Sequence, residues 1–153
     1  MKNGIALLIL TLIGGCSYHN EKALRDYNAE LIPVRSLIQE LARYQGYINE
    51  KKTPERIRQF TSDEILSRAR RITSILKGIR SKHERVTALN EQFTRIWEDY
   101  IIGFEIFSED LSNINLEPRK RRIRNTLERC SIRWLTWKAE LVSFHESAAG
   151  WAG

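Results

Sequence analysis

The sequence is poor in the residues that build tight turns, disulfides and metal sites. Its 153 residues include two cysteines, three histidines, three prolines and eight glycines. So few glycines and prolines argue against an all-β fold, which needs many tight turns. His19, His83 and His145 are scattered and form no H-E-x-x-H pattern, so we predict no metal site. The chain also contains neither a glycine-rich phosphate loop nor a G-x-S-x-G sequence, and we predict no cofactor and no enzymatic activity.

Charged and helix-forming residues are abundant instead. Lysine and arginine outnumber aspartate and glutamate by 25 to 19, which gives a net charge of +6. Charged residues make up 29% of the chain and hydrophobic residues 42%, the balance of a soluble globular domain. The length indicates one domain. The frequent Leu, Ile, Arg, Glu and Lys favour an all-α fold.

The N-terminus carries an apolar run. Lys2 is the only charged side chain before Glu21, and Ile5–Ile13 form an apolar run of nine residues in which Thr11 alone is polar. A membrane-spanning helix needs about 20 such residues. Two small residues, Gly14 and Gly15, follow the run. A positive start, an apolar middle and small residues at the end are typical of a cleaved signal peptide.

The residues up to the first cysteine resemble a lipobox. Ile13-Gly14-Gly15-Cys16 is similar to the lipobox of bacterial lipoproteins, in which an aliphatic residue and two small residues precede an invariant cysteine. Ile13 stands where the family commonly has leucine. The resemblance covers residues 1–17 and implies cleavage between Gly15 and Cys16, with acyl chains such as palmitate on Cys16. The alternative is an ordinary secretory signal followed by a chance cysteine.

This resemblance divides the chain and suggests a location. Residues 1–15 are then the signal peptide, 16–20 a lipid-anchored leader, and 21–153 a helical bundle domain. Several acyl chains form a durable membrane anchor. Ser17 stands where an aspartate often retains such lipoproteins at the inner membrane, so the resemblance implies the outer membrane, with the domain facing the periplasm. Acylation of Cys16 leaves Cys130 without a disulfide partner in the chain.

Apolar residues recur at helical spacing in three stretches. Pro33 falls inside the first stripe and predicts a kink near Ala29–Pro33, or a break there. Lys51–Thr61 is interpreted as a connection. Within it, Thr53 resembles an N-cap and Pro54 a first helical residue. Thr61–Glu64 is read as the capping box of a second helix. The stripes are Leu24, Tyr27, Leu31, Val34, Ile38, Leu41, Gln45 and Ile48; Ile65, Ile72, Ile79, Val86, Phe93, Tyr100, Phe107 and Ile114; and Ile123, Leu127, Cys130, Trp134, Trp137, Leu141, Phe144, Ala148 and Trp151.

The middle stripe decides the expected architecture. Its seven-residue spacing runs without a change of phase through Ile72, Ile79 and Val86, which favours one helix over Ser62–Asn113. The chain then forms an elongated antiparallel three-helix bundle with coiled-coil-like heptads. Gly78 and the S-x-x-E sequence Ser81–Glu84 support the alternative, a helix break near Gly78 and a four-helix bundle.

The basic run Pro118–Arg124 lies opposite acidic residues in the expected last hairpin. Interhelical ion pairs with acids such as Glu98, Asp99 and Glu105 are the favoured interpretation of this run. A residual basic face remains as a possible partner surface: Arg119, Arg122, Arg129 and Arg133. The aromatic residues of the same hairpin are interpreted as core packing, with a ligand pocket as the alternative.

The expected function follows from the anchor and from the missing catalytic motifs. We expect a membrane-anchored lipoprotein that acts as a non-catalytic protein-binding, assembly or structural component of the bacterial cell envelope. Its partners are the membrane, through Cys16, and another envelope protein, with no nucleic acid. An envelope ligand or stress sensor is the alternative, and a periplasmic enzyme is the least favoured.

Overall fold

The computed structural model describes residues 19–51, 53–110 and 116–149. The lipobox residues lie outside these ranges. Within them the chain is helical and contains no β-strand, which confirms the all-α class. A search of the same residues finds no helix with the length and apolar character needed to cross a membrane.

The N-terminal rod (residues 19–47) consists of α1, residues 19–30, and α2, Ile32–Tyr47. Only Leu31 interrupts the helix, inside the stretch where the kink is predicted. The Leu31 N–H donates to the Tyr27 carbonyl at 3.1 Å, and the Arg35 N–H donates to the Leu31 carbonyl at 2.9 Å. Pro33 lies in the first turn of α2, where its missing N–H costs least. A 3₁₀ turn, Ile48–Glu50, ends the rod.

The second rod (residues 54–78) begins earlier than predicted. It consists of α3, Pro54–Phe60, a π-helical stretch, Thr61–Leu66, and α4, Ser67–Gly78, without a break between them. Thr53 is the N-cap, and its side chain accepts a hydrogen bond from the Arg56 N–H at 3.3 Å. The prediction that Thr61–Glu64 opens the helix is wrong, since Thr61 is buried inside the rod.

The prediction of one continuous middle helix over Ser62–Asn113 is also wrong. α4 ends at Gly78, the position named in the alternative, and Ile79 is extended with ψ 127°. Gly78 does not have a positive φ, so the helix does not end in a left-handed glycine. Side chains satisfy the last carbonyls of α4 instead. Asn90 Nδ2 donates to the Leu76 carbonyl at 2.8 Å, and the Arg80 guanidinium donates to the Lys77 carbonyl.

The second half of the described chain is one long hairpin. It consists of α5, Glu84–Asp110, and α6, Leu116–Ala149. Ser81 does act before α5, as the S-x-x-E sequence suggests, but its Oγ accepts from the His83 N–H at 3.0 Å. The Thr87 hydroxyl donates to the His83 carbonyl at 3.2 Å and ties the loop to the first turn of α5.

The rods pack around one core with α5 in contact with all the others. Ion pairs Arg70–Glu105 and Lys77–Glu98, both at 2.7 Å, show that the second rod runs antiparallel to α5. The N-terminal rod contacts the second rod through Glu40 and Arg68, at 3.0 Å, and also contacts α5. The three-helix bundle, which requires one continuous middle helix, is therefore not confirmed. The stripe residues whose side chains the structure describes are buried or half-buried except Gln45, which confirms the stripes for those residues.

Replacing Gly78 by alanine is expected to raise the free energy of unfolding by about 0.5–1 kcal/mol. The residue is helical and exposed, its φ is not positive, and a Cβ there would meet no atom within 4 Å. Alanine loses less backbone entropy on folding than glycine. Urea unfolding of the unlipidated chain from Ser17, followed by circular dichroism, measures the change. A lower stability would show that the turn after α4 needs a glycine conformation.

Candidate functional site

Aromatic stacking fixes the inner face of α6 to α5. The rings of Phe93 and Trp137 stack with centroids 4.0 Å apart and planes 14° from parallel, and Trp134 meets Phe93 at 5.1 Å. Trp137 Nε1 donates to the Leu89 carbonyl at 2.9 Å in the buried interior. Phe93 and Trp137 are both almost completely buried. These contacts confirm the interpretation of these aromatic residues as core packing.

The N-terminal rod closes over this aromatic contact through Tyr27. The Tyr27 side chain is 2% exposed, and its hydroxyl donates to Asn90 Oδ1 at 3.5 Å. Burial raises the Tyr27 pKa well above its usual value, and a hydrogen bond with Trp137 offsets part of that rise. The phenol therefore stays neutral and links the N-terminal rod, α5 and α6.

A groove remains farther along, where the N-terminal rod and α6 separate above α5. Its cavity has a volume of about 480 Å³. Apolar and aromatic side chains provide most of its lining, as is usual for ligand and side-chain pockets. All three elements contribute to the lining, which includes Ile38 and Gln45 from the N-terminal rod, Trp97 and Tyr100 from α5, and Cys130 and Leu135 from α6.

The polar groups of the groove are few and differ in how they are satisfied. Gln45 Nε2 donates to the Tyr100 hydroxyl at 2.6 Å, and burial raises the pKa of that phenol. Trp97 is 5% exposed, and its Nε1 finds no acceptor among the described residues. A buried donor without a partner loses the hydrogen bond that it makes with water in the unfolded chain. An occupant with an acceptor oxygen could restore that bond.

Cys130 belongs to the wall of the groove. It is a free cysteine, 6% exposed, and its thiol donates to the Ile96 carbonyl at 3.8 Å. Burial raises the Cys130 pKa, and Asp99 raises it further. A thiol held protonated is a poor nucleophile. Its burial agrees with its place in the apolar stripe of the last helix.

The outer face of α6 carries large apolar side chains in water. Ile132 is 59% exposed, Leu135 66% and Val142 55%. Arg129 and Arg133 lie beside them along the helix and are also exposed. We call Arg129, Ile132, Arg133, Leu135 and Val142 the α6 surface. It adjoins the groove, because Leu135 belongs to both.

The predicted basic residues have different surroundings. Arg129 donates to the Thr126 hydroxyl at 3.3 Å, on its own helix. Arg133 forms an ion pair with Asp99 of α5, so it contributes to the hairpin as well as to the surface. Exposed pairs of this kind contribute only about 0–1 kcal/mol. The side chains of Arg119 and Arg122 lie outside those that the structure describes.

The expected ion pairs across the hairpin need a correction. Glu98 pairs with Lys77 and Glu105 pairs with Arg70, each at 2.7 Å. Both of these basic residues lie on α4. The acids of α5 face the second rod because the chain reverses at Gly78 and brings α4 alongside. Among the side chains that the structure describes, Asp99 pairs with Arg133 of α6. Most side chains of the basic run Pro118–Arg124 lie outside that description.

Sequence reasoning missed Ile132, Leu135 and Val142. They lie outside the buried stripe of α6, and their position outside that stripe could have indicated that they are exposed. Large apolar residues outside a heptad stripe are exposed whenever no further helix covers that side.

Comparisons with known proteins identify no relative of this chain. No protein-family model matches the chain, and no curated protein or solved structure shows significant similarity to it. In the part of the chain that the structure describes, no group of three or more potential metal ligands comes together.

Proposed function

We propose that the protein is a bacterial lipoprotein, anchored in the outer membrane through acylated Cys16, whose periplasmic helical domain binds another envelope protein without catalysis. The observation that carries this proposal is the position of Cys16, directly after a nine-residue apolar run and two glycines. The thiol is nucleophilic enough to be alkylated, and small preceding residues give a peptidase access to the backbone.

The α6 surface supports the binding part of the proposal. Its exposed apolar side chains lie next to two guanidinium groups, which suits a partner that offers apolar side chains and carboxylates. Binding energy concentrates where a few side chains become fully desolvated. The groove beside Leu135 provides such a place, because apolar and aromatic side chains form most of its lining.

An envelope ligand sensor is the second candidate function. The observation that favours it is the same cavity, because a volume of about 480 Å³ with a mostly apolar lining also suits a small apolar molecule. The two candidates differ in whether a residue at the rim of the groove contacts a protein in the cell.

Replacing Cys16 by alanine is expected to abolish incorporation of an alkyne-labelled fatty acid and to release the domain from the membrane fraction. The physical reason is that no other side chain offers the acyl-accepting thiol next to the cleavage site. In-gel fluorescence and membrane fractionation measure the two effects.

Cys130→Ala is the matched control for this test, since Cys130 is buried and should not accept a lipid. It should leave labelling and fractionation unchanged. Labelling that persists in Cys16→Ala would contradict the proposal.

Replacing Ile132 and Leu135 together by aspartate is expected to remove most of the partner crosslink formed by a photoreactive amino acid placed at Val142. Two buried carboxylates without counter-ions oppose binding. The domain itself should stay folded, because both side chains are more than half exposed. Crosslinking in intact cells, followed by mass spectrometry, measures the loss.

Ile102→Asp provides the control, because Ile102 is 50% exposed on α5 and lies outside the α6 surface. It should leave the crosslink intact. A crosslink that survives in the Ile132 and Leu135 variant would show that these two side chains do not contribute to binding the partner. A chain that crosslinks no protein from this surface would favour the sensor.

A further inference from the structure

Three elements meet at one end of the bundle. The start of α1 contacts the loop between α4 and α5 through Asn20 Oδ1 and His83 Nε2, 2.8 Å apart. The end of α6 contacts the same loop, because the rings of His83 and Phe144 lie 5.3 Å apart and Arg85 donates to the Ser147 hydroxyl at 3.1 Å. We call residues 19–22, 79–85 and 144–148 the anchor end.

The chain requires the anchor end to be the part of the domain nearest the lipid. His19 follows Cys16 by three residues, which reach at most about 11 Å even when fully extended. The N-terminal rod of residues 19–47 is about 43 Å long at 1.5 Å per residue. An acyl group on Cys16 therefore holds the start of α1 close to the headgroups, while the opposite end can stand well away from them. This step rests on the lipidation proposed above.

The loop at this end carries two cations that form no ion pair in the described chain. Arg80 and Lys82 are exposed, and residues 79–83 contain no carboxylate. The Arg80 guanidinium donates only to backbone carbonyls, those of Lys77 and Ile79. The neighbouring cations are more constrained, since Lys77 pairs with Glu98 and Arg85 lies over the Phe144 ring at 4.6 Å.

We propose that the 79–83 loop is a second membrane contact, in which Arg80 and Lys82 bind the phosphates of anionic phospholipids. A basic segment near an anionic surface gains about 1 kcal/mol per cation, and it strengthens a lipid anchor without replacing it. A lipid alone leaves the domain free to tilt about residues 16–19. A charged contact at the adjacent loop holds it upright on the anchor end, and the side of the bundle with the α6 surface stays clear of the bilayer.

The test uses the full lipidated chain in vesicles of phosphatidylcholine, with and without phosphatidylglycerol. A fluorophore is placed at Ser81→Cys at the anchor end or at Gln59→Cys on α3, at the opposite end. The buried thiol of Cys130 should not react. Energy transfer to a headgroup-labelled acceptor lipid reports the distance of each end from the surface. Adding phosphatidylglycerol should increase transfer from position 81 and leave transfer from position 59 low.

Neutralising the loop with Arg80→Gln and Lys82→Gln should lower the ratio of docked to undocked protein about thirtyfold, which corresponds to two cations at roughly 1 kcal/mol each. Lys82→Gln alone should lower it about fivefold, and it disturbs no contact if the double variant folds poorly. The matched control is Arg121→Gln with Arg124→Gln, which removes the same charge from exposed positions near the start of α6. It should change nothing.

Two results distinguish this inference from the lipidation on which it rests. Protein that does not float with the vesicles at all would contradict the anchor. Protein that floats, but gives the same transfer from position 81 with and without phosphatidylglycerol or with and without Lys82, would overturn the loop contact and leave the anchor standing.

Discussion

The stack of Phe93 on Trp137, with the Trp137 N–H bonded to the Leu89 carbonyl, is the interaction on which the arrangement of the bundle depends. It fixes the rotation of α6, because a buried donor and a stacked ring both have directional requirements. Tyr27 then closes on the same place from the N-terminal rod. With its inner face held this way, α6 turns Ile132, Leu135 and Val142 outward, where no described helix covers them.

With α6 in this orientation, three regions of the molecule lie apart from one another. The anchor end keeps the start of α1, the 79–83 loop and the end of α6 together, within reach of the lipid that we propose on Cys16. The α6 surface occupies the side of the bundle, and the groove beside it exposes a lining with little polar content. The break after Gly78 is essential to this division, because it brings two cations to the end where the chain enters the domain. A continuous helix would have carried Arg80 and Lys82 to the middle of a rod.

The apolar stripes and the all-α class could be predicted from the sequence, since burial on one helix face leaves a periodic signal. The ends of the helices are harder to predict from the sequence. Ile72, Ile79 and Val86 keep a seven-residue spacing across the break. The helices on either side each bury their own apolar stripe, and a reversal of the chain between them does not require the two stripes to be in or out of phase. The chain ends α4 with long-range help from Asn90, which no local pattern contains. Likewise, the pairing of Glu98 and Glu105 with α4 depends on that reversal. The exposure of Ile132 depends on the absence of a covering helix, which only the packed structure reveals.

The most direct test of this account compares two tryptophans on α5 and α6 by conservative substitution. Trp137→Phe removes a satisfied buried hydrogen bond and part of the stack, and should lower the free energy of unfolding by about 1–3 kcal/mol. Trp97→Phe removes an N–H that has no acceptor among the described residues, and should cost less than about 1 kcal/mol. Urea unfolding of both variants gives the comparison. Equal losses, or a larger loss for Trp97→Phe, would contradict the claim that the Trp137 N–H helps to fix α6 while the Trp97 N–H makes no hydrogen bond within the described residues.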